Sequence, residues 1–343
     1  MSPARRGEAD APAGATTADA AAGARGRCAE EPSDIPAAGW RDIAVRVLKN
    51  LSHHNLSLVA AGLAMYALLS IFPALTAGLS LYGLFVSPAH AVQQINALAG
   101  MLPAQGWHLI SQQLQEVASH APRALSVSAG IGLLVALWST RAGMSSLMTA
   151  LNIAYGEEEK RHWLWQVVLS LFFTLVLVLG GLVLLALGFV IPVVLAILGT
   201  RPWVKMTTEV LRWVLIWGFS IVALGLLYRF APSRRHAKWH WVSWGSSIAT
   251  TLWVLGSLLF AFYLQTFGSY EKTYGAVGSV VALLMWFYLS SFFVMLGAEI
   301  NAQMEHQSAR DTTEGSPRPM GQRGAYVADT LGQGADTAPH PSG

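Results

Sequence analysis

The chain has 343 residues, of which 53% are hydrophobic and only 12% are charged. Soluble domains carry about 25% charged residues, so this composition, together with several long apolar runs, excludes an ordinary soluble domain and predicts a polytopic membrane protein. The net charge of +3 does not indicate nucleic-acid binding, because basic residues on cytoplasmic loops of a membrane protein give the same balance.

Both ends of the chain are poor in large apolar residues. Residues 1–38 and 306–343 are rich in small, polar and charged side chains, and the first segment lacks the apolar stretch of a signal peptide. Such segments bury too little apolar surface to offset the loss of conformational entropy, so we expect two disordered cytoplasmic tails. The single cysteine, Cys28, lies in the first tail and excludes an intrachain disulfide and a cysteine-based metal site.

A membrane domain is predicted between the tails, over residues 39–305. It begins with residues 40–54, where apolar residues recur at helical spacing beside basic ones, as in a helix lying on a membrane surface. Six apolar runs long enough to cross a bilayer follow, at residues 56–86, 122–141, 164–198, 208–230, 241–267 and 275–302.

Three features add detail to this six-span scheme. Pro73 lies inside the first span and predicts a kink, because proline removes one backbone hydrogen bond. Residues 88–119 form two amphipathic pieces that are too polar to span, so they predict a helical cap outside the cytoplasm between spans 1 and 2. Gly245 and Ala249 lie four residues apart in span 5 and predict a close helix contact. The expected fold class is an all-α, six-transmembrane-helix bundle with an amphipathic helical cap.

The distribution of basic residues predicts the orientation of the bundle. With six spans, the chain ends on the side of the membrane where it begins. That side carries nine lysines and arginines and the other side four, which places both termini in the cytoplasm. The nine are Arg41, Arg46, Lys49, Lys160, Arg161, Arg229, Arg234, Arg235 and Lys238, and the four are Arg123, Arg201, Lys205 and Lys272.

Three stretches of the chain carry a family resemblance. They are AAGLAMYALLSIFPALTAGLSLYGLF at residues 60–85, LWSTRAGMSSLMTALNIAYGEEEKR at 137–161 and FGSYEKTYGAVGSVVALLMWFYLSSFFVMLGAEINA at 267–302. In this order they resemble the YihY/virulence factor BrkB family of bacterial inner-membrane proteins, over roughly residues 40–303. The resemblance implies an inner-membrane location. It implies no molecular activity, because the family has none that is agreed, although it has carried the label ribonuclease BN-like.

The sequence lacks the motifs that a hydrolase or nuclease would need. It contains no HExxH, GxSxG or P-loop motif. The adjacent His53 and His54 point about 100° apart on a helix and cannot chelate a metal as an i, i+4 pair does. His108 and His120 have no carboxylate cluster nearby in the sequence. Residues 234–244 are basic and aromatic, but a cytoplasmic loop with an interfacial tryptophan belt explains them more economically than RNA binding. We therefore expect no enzyme, no cofactor, no metal and no nucleic-acid partner.

One polar constellation supports a functional hypothesis. Arg141, Asn152, Glu299 and Asn301 all lie where spans 2 and 6 approach the cytoplasm, and Glu299 continues a helical face that carries Tyr288. An ionisable group at such a position is a functional candidate. Arg141 and Glu299 are close enough to the same membrane edge to pair, and the four residues form a candidate gate or substrate contact. The alternative is a structural ion pair or two charged side chains that extend to the membrane surface.

Two functions from different classes fit these observations. The first is a transporter or lipid flippase of the cell envelope, with membrane lipids as partners. The second is a non-transporting scaffold or envelope-assembly factor. A wide polar cavity between spans 1, 2 and 6 favours transport, and a filled apolar interior favours the scaffold. The sequence leaves open whether the protein forms a homo-oligomer.

Overall fold

The described part of the chain is helical. The computed structural model describes residues 23–83, 127–185, 187, 201–266 and 269–334, and within these ranges there is no β-strand beyond one isolated bridge between Ala237 and Thr313. A single 3-10 turn, Pro32–Asp34, precedes the α-helices. These are α1 (Ala37–His53), α2 (Leu56–Gly83), α3 (Val127–Tyr155), α4 (Trp163–Leu185), α5 (Pro202–Phe230), α6 (Trp239–Thr266), α7 (Ser269–Glu305) and α8 (Tyr326–Asp329).

Several of these helices have the length and composition of membrane spans. Four qualify within the described residues, at Trp163–Leu184, Met206–Phe230, Trp239–Thr266 and Gly278–Glu305. A fifth is added if Ala37–His53 and Leu56–Ile71 count as one bent span. The predicted all-α membrane fold is therefore confirmed, whereas the count of six spans stays a prediction. The predicted cap at residues 88–119 lies outside the described residues.

Helix α7 is the centre of the bundle. It packs against α1, α2, α3 and α6, and its last turns also contact α8. Met295, Ala298 and Ala302 on α7 are fully buried and share one core with Leu151 and Tyr228 from α3 and α5. Many large apolar side chains on the outer faces of α4, α5 and α6 are exposed, as expected where the bilayer is the solvent. The buried core thus lies along α7.

The crossing of α6 and α7 depends on small residues. A methyl group added at Gly297 would come within 2.5 Å of the Ala249 Cβ atom and 2.9 Å of the Gly245 carbonyl oxygen. Asn301 binds the backbone there, because its Oδ1 accepts from the Gly245 amide at 2.9 Å and its Nδ2 donates to the Val242 carbonyl at 3.2 Å. The predicted close contact at Gly245 and Ala249 is confirmed.

A sharp knee separates α1 from α2. The segments Ala37–His53 and Leu56–Ile71 are bent by 63°. Asn55 adopts a φ of 49°, a left-handed conformation that asparagine tolerates better than most residues and that often ends a helix. The knee turns α1 away from the direction of α2 and allows it to lie against α7.

The described parts of the two terminal segments are packed, which corrects the expectation of disordered tails. Ala29 and Ile35 are buried in a core cluster with Trp241 and Met304. Ser308 Oγ donates to the Ala29 carbonyl at 2.7 Å, so the two segments also bond to each other. The physical reason is that these segments are ordered mainly by hydrogen bonds to their backbone, which an estimate of apolar surface alone does not count. Residues 1–22 and 335–343 lie outside the described residues.

Arg323 organises the C-terminal segment. Its guanidinium is buried and donates to the carbonyl oxygens of Arg310, Arg318, Ala309 and Ala328 at 2.7–3.1 Å. Asp329 accepts from the backbone amides of Gly321, Arg323 and Gly324 at 2.7–3.0 Å. Both glycines have positive φ, of 87° and 71°, which most side chains would strain. One cation and one carboxylate thus fix a loop that has few large apolar residues.

Replacing Arg323 with alanine is expected to unfold this segment locally while the membrane helices stay folded. Four carbonyl oxygens lose this donor, and the buried one, that of Ala328, costs about 1–3 kcal/mol when it is left without a partner. Hydrogen–deuterium exchange followed by mass spectrometry should show faster exchange over residues 309–334. The exposed Arg310 provides the control, because Arg310→Ala removes a cation of the same segment and should leave exchange unchanged. Unaltered exchange in Arg323→Ala would contradict this account.

Candidate functional site at the junction of α1 and α7

Two polar stripes meet where α1 lies against α7. Residues four apart project from one face of a helix, so each stripe is a continuous line of side chains. We call the contact between them the polar zipper. Its α1 side consists of Arg46, Asn50 and His54, and its α7 side of Glu299, Gln303 and Gln307.

Glu299 is the acidic centre of the polar zipper. Its side chain is fully buried. Oε1 accepts from Asn50 Nδ2 at 2.6 Å and from Gln303 Nε2 at 3.0 Å, and Oε2 lies 3.1 Å from His54 Nδ1. A buried carboxylate is tolerated only when it is paired or hydrogen-bonded, and these three partners meet that condition. Asn50 lies on α1 and His54 lies in the knee, so Glu299 joins both to the central helix α7.

Arg46 holds the other end of the polar zipper. Its Nε donates to Gln303 Oε1 at 2.8 Å, and its Nη2 donates to the Gln303 carbonyl at 3.0 Å and to Gln307 Oε1 at 2.7 Å. Nη1 reaches the Gln333 carbonyl at 3.1 Å. Gln303 therefore bridges the arginine and Glu299, and the C-terminal segment is tied to the same network.

His54 is a titratable group at the knee, in the break before α2 and outside the spanning helix. Its hydrogen bond to Glu299 raises the pKa of His54, partial burial acts in the opposite direction, and the charge of Glu299 raises it further. Because the pKa in the folded protein exceeds that of the unfolded chain, the stabilisation is complete below about pH 6.5. It is lost as the pH rises through the higher folded pKa.

We therefore expect the folded protein to lose stability through this contact as the pH rises above about 6.5 and through the raised pKa of His54. The loss should not exceed the roughly 1.5–3 kcal/mol that is typical of a hydrogen bond to a charged group. His54→Gln should flatten the pH dependence of the thermal unfolding midpoint. The matched control is His53→Gln, because His53 is exposed next to it. An equal pH dependence in the wild type and in His54→Gln would rule out this role.

Arg141 does not pair with Glu299, a pairing that the sequence left open. Arg141 Nε donates to Ser170 Oγ on α4 at 2.8 Å, and its guanidinium carbon lies 5.0 Å from the centre of the Trp138 ring. The partners of Glu299 come instead from α1 and from α7 itself. Arg141 therefore ties α3 to α4, and its role in the described structure is a helix contact.

Asn152 serves as a backbone clamp, as Asn301 does at the α6–α7 crossing. Its Oδ1 accepts from the Ser233 amide at 2.8 Å and its Nδ2 donates to Glu159 Oε2 at 3.1 Å. Burial alone would raise the pKa of Glu159, but its bonds to Arg161 and Asn152 outweigh burial and lower that pKa to about 2. The four predicted site residues therefore do not form one site. Glu299 lies in a buried ionisable network, whereas Arg141, Asn152 and Asn301 make contacts between helices and loops.

A buried ion pair lies near the polar zipper and was not anticipated. Arg234 Nη2 and Nη1 donate to the two carboxylate oxygens of Glu305 at 2.7 and 3.0 Å, and neither side chain is exposed. Thr312 Oγ1 also donates to Glu305 at 3.0 Å, and the Arg234 guanidinium lies 4.2 Å from the centre of the Tyr155 ring. From the sequence, Arg234 was placed in a cytoplasmic loop. Its partner is 71 residues away, so no local pattern indicates the pair.

An apolar groove lies between α2 and α7. Its volume is about 290 Å³. Ser57 Oγ and the Tyr288 hydroxyl, 2.7 Å apart, form a hydroxyl pair next to it. The lining residues are Ala61, Ala64, Met65, Val281, Leu284, Met285 and Tyr288.

The described residues offer no set of ligands for a metal ion. Within them, no group of three or more histidine, cysteine, aspartate or glutamate side chains lies close enough together to hold one. The rings of His53 and His54 are 5.4 Å apart and meet edge to face. His108 and His120 lie outside the described residues.

Comparison with known proteins identifies relatives over most of the chain. Residues 47–321 match the model of the family described as virulence factor BrkB. A protein of Bacillus subtilis named ribonuclease-like protein YfkH is 32% identical over 251 residues, which cover 71% of this chain and 88% of that protein. A UPF0761 membrane protein of Photobacterium profundum is 28% identical over 277 residues, covering 78% and 82%. One of Idiomarina loihiensis is 29% identical over 209 residues, covering 60% and 70%. No solved structure matches the chain.

Proposed function

The chain belongs to the virulence factor BrkB family, and from this premise we propose that it is a transporter or lipid flippase of the bacterial inner membrane. In this proposal the protein has six spans and both termini in the cytoplasm. Relatives are named membrane proteins. The name ribonuclease-like belongs to the Bacillus protein. The described residues of this chain supply no metal cluster for nuclease chemistry, and we propose neither an enzyme nor a nucleic-acid binder.

The observation that carries the proposal is the burial of Glu299 between the knee and the central helix. An ionisable residue inside a membrane bundle is costly and is usually retained for function. Here the carboxylate is bonded to Asn50 and His54, next to a 63° bend between two helices. Weakening these bonds would loosen α1 and the knee from α7, which is a movement suited to a gate. The gate residues in this proposal are therefore Glu299, Asn50 and His54.

The proposed orientation follows from the charges at the end of the bundle that holds α1. Glu157 accepts from the Tyr326 amide and Lys238 donates to the Asp311 carbonyl, which places two interhelical loops beside the C-terminal segment. Arg201 lies at the start of α5, at its opposite end. Basic residues at the α1 end, in the described chain, include Arg27, Arg46, Lys160, Arg161, Arg229, Arg234, Arg235, Lys238, Arg310 and Arg323. This excess supports a cytoplasmic position for that end.

The experiment is reconstitution of the purified full chain into liposomes, scored for lipid scrambling and for proton or small-ion flux. We expect movement above that in empty liposomes, with a rate changed about tenfold in Glu299→Gln, since the loss of a charged hydrogen bond corresponds to about that factor. Glu158→Gln is the matched control, because Glu158 is exposed. Absence of lipid and ion movement, or equal rates in the wild type and Glu299→Gln, would contradict the proposal.

A scaffold is the second candidate, and a specific observation favours it. The end of the bundle that holds α1 is filled, since Tyr155, Leu151 and Met295 are fully buried there. The two terminal segments also form an ordered surface at this end. A scaffold would show no flux in liposomes, and crosslinking in cells would recover the same partner proteins reproducibly through that surface.

A further inference from the structure

We propose that the groove between α2 and α7 holds one acyl chain of an anionic phospholipid, with the headgroup beside the knee. An anionic phospholipid would then be the substrate class of the proposed transporter. The claim that the lipid is transported rests on the proposed function. Binding of the lipid in the groove is a separate claim and can be tested without any transport assay. The occupant follows from the lining of the groove, from the hydroxyl pair and from the charge of α1.

The lining selects an apolar chain. Ala61 and Ala64 on α2 are small and leave space, and Met65 and Met285 border that space with flexible, polarisable side chains. Met65 is 52% exposed and Met285 49%, so the groove opens on the outer surface of the bundle. In a membrane that surface contacts lipid. Water finds too few polar partners here to be held, whereas a hydrocarbon chain matches the lining.

The groove has a direction along α7. Val281, Leu284, Met285 and Tyr288 are spaced as one helical face, and the distance from the first to the last is about 10 Å at 1.5 Å per residue. The same face continues through Met295, which is fully buried, to Glu299. Met295 therefore separates the groove from the polar zipper. An acyl chain in the groove lies on the same helix face as the proposed gate without reaching its charges.

The hydroxyl pair marks the polar end of the groove. Ser57 lies in the first turn of α2, directly after the knee, and Ala61 and Ala64 follow on the same face. The two hydroxyls bond to each other at 2.7 Å, which leaves one proton and further lone pairs for another partner. The ester groups at the start of a phospholipid acyl chain are suitable acceptors for that proton.

Helix α1 supplies the charge that an anionic headgroup would meet. Lys49 and His53 are exposed, and they lie eight and four residues before Ser57, on the other side of the knee. Leu48 is 65% exposed beside them, as in a helix that lies in the membrane interface. A basic residue near an anionic membrane surface favours binding, so Lys49 makes an anionic headgroup preferable to a zwitterionic one.

The test is photocrosslinking of the full chain in nanodiscs. The probe is phosphatidylglycerol with a diazirine on one acyl chain, and phosphatidylcholine with the same diazirine is the comparison. Peptide mapping should place adducts at Met65, Val281 and Met285. Ala61→Trp fills the groove and should lower this labelling about tenfold, which corresponds to loss of contact with about two methylene groups. Gly62→Trp is its control, because Gly62 is exposed and a Cβ atom added there meets no atom within 4 Å.

A second pair of variants keeps the test valid if Ala61→Trp does not fold. Val281→Trp places the bulky side chain in the groove from α7, and Val280→Trp places it at a neighbouring exposed position.

The headgroup preference is tested separately. Lys49→Gln should lower the preference for phosphatidylglycerol over phosphatidylcholine about fivefold, the factor expected from one lysine near the surface. Arg318→Gln removes an exposed charge from the C-terminal segment and should not change it.

Each outcome decides the inference. Weaker labelling in Ala61→Trp and Val281→Trp, with unchanged labelling in their controls, supports lipid binding in the groove. Equal labelling in all variants, or adducts spread evenly over the outer helices, overturns it, because the lipid is then ordinary bilayer. Equal labelling by the two lipids overturns the headgroup assignment. Groove labelling without lipid movement in liposomes would keep the binding site and reject the proposed transport.

Discussion

Replacing Glu305 with glutamine is expected to lower the free energy of unfolding by about 3–5 kcal/mol, because it leaves the Arg234 charge buried without its counter-charge. The pair is bidentate, neither side chain is exposed, and Thr312 also depends on the carboxylate. Titration with a denaturing detergent should show the loss, and the protein should accumulate poorly in membranes. The effect is large because water cannot reach the orphaned guanidinium.

Two controls separate the ion pair from a general effect of charge. Glu158 is exposed, so Glu158→Gln removes one negative charge without leaving a buried cation and should change the free energy of unfolding by about 0.5 kcal/mol or less. Replacing both Arg234 and Glu305 with methionine should restore most of the stability, since exchanging a buried pair for apolar residues is often neutral. A single Glu305→Gln variant as stable as the wild type would refute the proposed contribution of the pair.

The second large effect is expected at the α6–α7 crossing. A methyl group at Gly245 would meet the Asn301 side chain and would lie 2.5 Å from the Gly297 carbonyl oxygen. Asn301 would have to move and would lose its bonds to the backbone of α6. Overpacking costs about 1–3 kcal/mol, and a lost buried hydrogen bond adds about 1–3 kcal/mol. We therefore expect Gly245→Ala to lower the thermal unfolding midpoint strongly.

Gly218 on α5 is the matched control for that substitution. A methyl group there meets no atom within 4 Å. Alanine is also the better helix former by roughly 0.5–1 kcal/mol, so Gly218→Ala should be neutral or slightly stabilising. If Gly245→Ala and Gly218→Ala shift the midpoint equally, the crossing is looser than the structure indicates.

The parts of the fold that could be predicted are those encoded in local composition. Long apolar runs identify the membrane helices, and the four-residue spacing of Gly245 and Ala249 identifies a close crossing. Glu299 was proposed as a site residue because a charge near the end of an apolar helix is rare. These inferences need no knowledge of which helices are neighbours.

The partners of Glu299 could not be derived in that way, since they depend on the knee that folds α1 against α7. One usable signal was present, because Arg46, Asn50 and His54 form a four-residue polar stripe like that of Glu299, Gln303 and Gln307. Two such stripes on separate helices indicate a polar contact between them.

The terminal segments were misjudged for a different reason. The estimate of disorder weighed apolar surface against chain entropy, whereas order here comes from buried polar side chains such as Arg323 and Asp329 that satisfy the backbone. These contacts join residues that are close in sequence but depend on loop geometry. The pairing of Arg234 with Glu305 has no local signal of any kind.

The bonding between the two ends of the chain has a consequence for biosynthesis. Arg27 donates to the Gly332 carbonyl and Ser308 donates to the Ala29 carbonyl. These hydrogen bonds of the N-terminal segment therefore cannot form until the C-terminal segment has been synthesised. Helices can insert one after another during translation, but this surface closes only after residue 332 has left the ribosome. A chain that terminates before Met304 leaves Ile35 without one of its apolar core partners. Cellular proteases can recognise the apolar surface that such an incomplete product exposes.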